Sequence, residues 1–168
     1  MARLTVLTVP DARLRVKAVP ILGVDDNIRQ LMDDMLETMY AEDGAGLAAT
    51  QVGINKRVVV LDLEDHAPGL GPLKIANPEI VWRSEDVQKN WEACLSVPGQ
   101  SAQVERHTAI RLKYLDENNT TQEKDFVDWV SVCLQHEIDH LQGVLYVDHL
   151  SALRRNLLIE KAKKFKAS

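Results

Sequence analysis

At 168 residues, 45% hydrophobic and 27% charged, the chain has the size and composition of one folded domain, which excludes a disordered or fibrous class. It offers no run of about 18 apolar residues to span a bilayer, and its opening MARLTVLTVPDARLRV carries charges through the apolar stretch, unlike a secretion signal; the expectation is a soluble, cytoplasmic protein. The net charge of −5 is uneven: residues 151–168 hold six Lys or Arg against one Glu, a tail of +5 on a body of −10, which argues against a broad nucleic-acid surface or specific DNA binding.

In chain order, the first periodic segment runs from about Asp25 to Glu42, with Ile28, Leu31, Met32, Met35, Leu36 and Met39 at helical spacing. Asp25 or Asp26 can cap it and Gly44 is the expected stop. GAGLAATQVG follows, too rich in Gly and Ala for a surface helix, and reads as a tight loop feeding a β-branched strand over Arg57–Leu63. Further strands are predicted at Leu73–Trp82, along the alternating Ile110, Leu112 and Tyr114, and at Glu123–Val127, with turns at APGLGP and DENN. A second helix starts near Asp128 and places Trp129, Val132, Cys133, His136 and His140 on one face. A third starts at Ser151 and is expected to turn Leu153, Leu157, Leu158 and Phe165 inward, with its basic residues outward. With no repeat or linker, the whole of 1–168 reads as one α+β unit closed by a basic C-terminal helix over 151–168.

The chemistry concentrates in HEIDH, His136–His140. Imidazoles four residues apart lie about 40° apart around a helix and about 6 Å apart along it, so both can reach one ion. Glu137 points about 100° away, which suits a base reaching a water at the metal rather than the metal itself. His66, His107 and His149 have no partner at ligand spacing and read as ordinary surface or loop residues.

A catalytic metal takes three protein ligands and keeps one position open, so a third ligand is needed. Cys133 shares the helix face but lies about 7.5 Å along the axis from the level between the histidines, beyond the roughly 5 Å that a cysteine and its metal bond can reach. It reads instead as a small apolar residue under the site. The chain's other cysteine, Cys94, stands in WEACLSVPG about forty residues upstream and becomes the cross-chain ligand.

Three blocks in this order, GAGLAATQ, EACLS and HEIDH, make the chain resemble the peptide deformylase family of bacterial type over nearly its whole length. The resemblance implies mainly antiparallel β-structure packed around a central metal-binding helix. It matches the family's metal ligands to Cys94, His136 and His140 and its catalytic glutamate to Glu137. By the same resemblance, Gln51 and the backbone N–H of Leu95 donate to the oxyanion, and Glu92 forms a supporting ion pair, for which Arg106 is the candidate partner. The implied reaction removes formyl from the N-terminal formyl-methionine of new polypeptides: water activated at the metal attacks the formyl carbon, Glu137 takes its proton and returns it to the leaving amine, and formate departs. Gly44, Ala45 and Gly46 would approach the substrate, and Trp129, Val132 and Cys133 would line an apolar methionine pocket.

The ligand set suits Fe(II), Zn, Ni or Co; the resemblance implies iron in the cell. It also implies nascent formylated peptides as partners; the charge of the basic helix alone makes it a candidate dock for the ribosome, and no membrane partner and a monomer are expected. Ala93 stands where the family usually has glycine in EGCLS, Asn90 where the pocket rim is commonly apolar, and Ser101 where related enzymes often carry arginine; substrate preference follows least directly. Two rivals remain. In an H-E-x-x-H metalloprotease, Gly143 is in place but Tyr146 replaces the third histidine and only Glu160 is left as a downstream ligand. In a non-catalytic relative, the fold would serve as a binding module.

Overall fold

The computed structural model describes residues 2–167, with side chains through 166. Its first helix, α1 (Asp26–Ala41), is capped by the Asp25 carboxylate, which accepts from the Ile28 N–H. Ile28, Met32, Met35 and Met39 form its buried stripe, each burial contributing roughly 1.5–3 kcal/mol. The chain then reverses at Asp43, in the left-handed region at φ 57°, and the Gly44 N–H closes on the Met39 carbonyl at 2.9 Å. The expected stop at Gly44 is thus made one residue earlier.

The Gly/Ala-rich segment is not only a loop. It contains a short strand, β1 (Gly46–Ala48), and a 3-10 turn, Ala49–Val52. Strand β2 (Val58–Leu61) is shorter than expected, whereas β3 (Leu73–Arg83), β6 (Ala109–Leu115) and β7 (Thr121–Val127) extend slightly beyond the patterned residues. These five make an antiparallel sheet in the order β1-β2-β3-β6-β7. A register break in β3 falls at Asn77, whose side-chain amide accepts from the Ile21 N–H at 2.9 Å and donates to its carbonyl at 2.8 Å.

Two strands, β4 (Val87–Cys94) and β5 (Val97–His107), had no place in the expected order; they form a separate hairpin. The pairing is regular from Val87 opposite His107 to Glu92 opposite Ala102, then shifts before Cys94 meets Val97.

Helix α2 (Asp128–His140) packs Val130, Leu134 and Ile138 on one face of the sheet, against Val59, Leu61, Ile75, Ile110 and Leu112. Helix α1 covers the other face, against Val58, Val60 and Leu47. Strand β2 is therefore buried on both sides and reads as an unbroken apolar run. A third cluster joins the hairpin to α3 (Ala152–Ala167), through Leu158 and Ala162 against Val97, Ala102 and Val104. The inward face of α3 differs from expectation: Leu158 is buried, but Leu153, Leu157 and Phe165 are exposed. The helix touches the hairpin along a narrow line, which small Ala162 lets it approach closely.

Candidate metal centre

Helix α2 is buried along most of its length, and its last turn carries His136 and His140 inward, ring centroids 5.1 Å apart. The end of β4 delivers Cys94 to the same spot, with its Sγ 3.4 Å from His140 Nε2. One ligand atom from each of Cys94, His136 and His140 lies within 4.8 Å of the others, the only such group of three or more possible metal ligands among the described residues. Cys133 stays outside it, its thiol pushed up by burial and by the Glu137 and Glu92 carboxylates.

Behind the rings runs a buried polar chain. His136 Nδ1–H donates to Glu92 Oε1 at 2.8 Å, which aims Nε2 forward. Glu92 is held in turn by Arg106, whose Nε and Nη2 donate at 2.8 and 2.9 Å, with both side chains under 5% exposed. Arg106 Nη1 also donates to Asp139 at 2.6 Å, and His149 Nε2 lies 2.9 Å from the same carboxylate. His149 therefore belongs to this chain of contacts, contrary to its reading as an ordinary surface residue. Burial alone would raise the Glu92 pKa, but hydrogen bonds from Arg106 and His136 hold it below the ordinary value.

The imidazoles titrate apart. Burial disfavours charge on His136, but bonds to Cys94 and Glu92 outweigh it and raise its pKa well above the ordinary value. Burial and the neighbouring His136 charge push His140 well below. Neutral His140 can ligate as it stands, whereas a metal would have to displace the outer proton of His136, leaving the inner N–H on Glu92.

Glu137 lies beside this cluster, with its Oε1 4.0 Å from His136 Nε2. Its Oε2 is buried with no partner among the described residues, and burial pushes the carboxyl up to about 7. A buried carboxyl poised near neutrality and lacking a hydrogen-bond partner suits a general base. The donor set of one thiol, two imidazoles and this unpartnered oxygen fits a divalent metal with an activated water.

Gln51 comes from the 3-10 turn after β1. Its Oε1 accepts from the Ala48 N–H at 2.9 Å, while its Nε2 donates to Ser96 Oγ at 3.0 Å and points at Cys94 Sγ at 3.5 Å. A cavity of about 930 Å³ opens over the cluster and is lined by Gln51 and Leu95 and by Gly44, Ala45, Gly46, Trp129, Val132 and Cys133. At Gly46 a β-carbon would fall 2.8 Å from Glu137 Oε1, so only glycine lets β1 pass that close. Ala93 is exposed in the lining, whereas Asn90 and Ser101 do not border the cavity.

Sequence reasoning missed Ser96, the partner of Gln51, although it stands inside the EACLS block. It also missed Asp139, inside HEIDH, because an acidic residue on a helix is by default solvated. The protease's remaining ligand, Glu160, is on the exposed face of α3 and pairs with Lys163 at 3.0 Å. Tyr146 stacks on the His136 ring at 5.9 Å, with its hydroxyl buried and unpartnered among the described residues.

Comparison with known proteins agrees with this geometry. The family model described as polypeptide deformylase matches residues 3–156. Proteins named peptide deformylase from Rickettsia akari and Alkalilimnicola ehrlichii are 47% and 50% identical, covering 99% and 98% of this chain and 98% and 91% of their own lengths. The crystal structure of peptide deformylase from Ehrlichia chaffeensis in complex with actinonin superposes with a TM-score of 0.94 at 42% identity, covering 100% of both chains. That of a peptide deformylase from Legionella pneumophila gives 0.91 at 39% identity, covering 99% of this chain and 96% of the other. A thiol and two imidazoles converging beside a buried glutamate, together with a family match that takes in all of them, establish that the chain belongs to the polypeptide deformylase family.

Proposed function

We propose that this chain hydrolyses the N-formyl group from the formyl-methionine of newly made polypeptides, releasing formate and a free amine, and that residues 1–168 act as one catalytic unit. The observation that carries the reading is the convergence of Cys94, His136 and His140 beside Glu137, inside a family whose relatives bear the deformylase name.

The three ligand atoms would hold a divalent metal, which when bound supplies Lewis-acid activation of water and of the formyl carbonyl. Glu137 accepts the water proton and passes it to the leaving nitrogen, a transfer for which a carboxyl near 7 is well matched. Gln51 Nε2 and the Leu95 N–H donate to the developing oxyanion. Trp129, Val132 and Cys133 seat the methionine side chain, whose flexible thioether adapts to the pocket. Glu92 and Arg106 keep the His136 ring in register.

Iron(II) is the proposed metal in the cell, with Zn, Ni and Co as substitutes of matching chemistry. The proposed setting is the cytoplasm, where new formylated chains are made and where the Cys94 thiol, a proposed metal ligand, is kept reduced. The enzyme would act as a monomer, with the basic outer face of α3 docking at the ribosome through charge. A variant lacking α3 should lose salt-sensitive cosedimentation with ribosomes; retention would refute the docking.

Formate release from a formyl-Met peptide, measured beside metal content and before and after exposure to air, tests the whole reading. Glu137→Ala should keep one metal and lose about 10²–10⁴-fold in turnover. Absence of formate from the metal-replete wild type would refute the activity, and activity indifferent to air would refute iron.

A further inference from the structure

The cavity over the cluster is also lined by two residues far apart in sequence: Arg3 from the N-terminal stretch and Lys166 from the last turn of α3. The helix is anchored just before that turn, and the exposed turn itself touches β5 through one side of the Phe165 ring. Leu158 and Ala162 are buried against the hairpin, and the Phe165 ring rests on Gly99 so closely that a β-carbon there would fall 2.6 Å from Phe165 Cδ2. Gly99 itself has φ +74°, a conformation that also favours glycine. Phe165 thus meets β5 at Gly99, and the next residue, Lys166, lines the same cavity as Gly99 and Gln100.

The charges lining the cavity are unevenly satisfied. Arg3 engages Glu42 at 2.9 Å. Asp43 follows α1 and borders the cavity next to Gly44, on another segment from Lys166. Lys166 forms no ion pair with any described residue, so on the β5 side it is the cation left for a ligand. Ser101, also on β5, is exposed and does not line the cavity.

We infer that Lys166 is a specificity-determining residue that draws an acidic side chain of the substrate, downstream of its formyl-methionine, to the β5 side of the cavity. The inference rests on the deformylase reading for the identity of the ligand as a peptide. An exposed ammonium on a flexible stem gives a graded preference rather than an absolute one.

The test compares formyl-Met peptides carrying Glu, Gln or Lys at the third, fourth or fifth residue, using the wild type, Lys166→Gln and Lys166→Glu. In the wild type the Glu peptide is expected to exceed its Gln counterpart in kcat/KM at one of these positions, by about two- to five-fold at low salt, through KM rather than kcat. Lys166→Gln should abolish that ratio and Lys166→Glu invert it in favour of the Lys peptide; added salt should shrink both effects. Binding of the same peptides to Glu137→Gln, followed by fluorescence of Trp91 and Trp129 in the cavity lining, reads the charge preference without turnover. Absence of formate from every peptide would overturn the activity alone. Equal binding of Glu, Gln and Lys peptides, or a preference that survives Lys166→Glu, would overturn the role of Lys166.

Discussion

Gly46 leaves no room for a side chain. A methyl there would press within 2.8 Å of Glu137 Oε1 and 3.1 Å of its Cδ and Cγ, and a buried carboxylate on a rigid helix has little freedom to retreat. Gly46→Ala should therefore displace the carboxylate by a fraction of an ångström and cost about 10²-fold in formate release, while metal content stays at wild-type level. An alanine variant with full activity would show that Glu137 tolerates the shift. At this scale the sequence was informative where chemistry depends on local spacing. His136 and His140 converge because a helix brings fourth neighbours together, and Cys133 is excluded by the same geometry. The inward turn of Asp139 and the hydrogen bond from Gln51 to Ser96 were not legible, because each depends on a partner brought from another segment.

Among the elements, the hairpin shows why some strands escape a pattern reading. β4 and β5 bury Glu92 and Arg106 on their inward face, so the alternation that marks a half-buried strand is written partly in charged residues. β2 was legible because both its faces are apolar, and α1 because its cap and methionine stripe are local features. The inner face of α3 was misassigned because Leu153 and Leu157 are apolar yet face away from the narrow contact with the hairpin. The buried pair also yields a prediction. Arg106→Met leaves the Glu92 carboxylate without its guanidinium, a loss of about 3–5 kcal/mol in chemical denaturation. Adding Glu92→Gln should recover part of it, because the uncompensated charge is then gone. A single variant as stable as the wild type would mean that water or another cation replaces Arg106.

For the whole molecule, alkaline pH offers a global probe. The chain has three tyrosines, and the fold raises the pKa of all of them. Tyr40 is pushed up to about 12 by burial and by its hydrogen bond to Asp62. Tyr114 is raised by burial beside Asp116 and Glu117, and Tyr146 by burial near Cys94 and Glu92. Each phenol is more readily kept protonated in the folded chain than in the unfolded one. The stabilising contribution of each is intact below the ordinary value near 10 and is lost as pH rises through its folded-state value, which for Tyr40 is about 12. Ultraviolet titration should show less tyrosinate at pH 10 in the folded protein than in the urea-unfolded chain, with ionisation arriving at higher pH while the far-ultraviolet dichroism is native. A phenol that ionises near 10 in the folded protein would contradict this.

Arg3 and Lys166 line one cavity although 163 positions separate them. Anything fused ahead of the first or behind the second, such as a purification handle or a reporter domain, would begin its path close to that cavity. A polyhistidine handle placed there would bring competing imidazoles to the cavity that lies over Cys94, His136 and His140. Kinetic work on this enzyme should therefore use protein from which such additions have been removed.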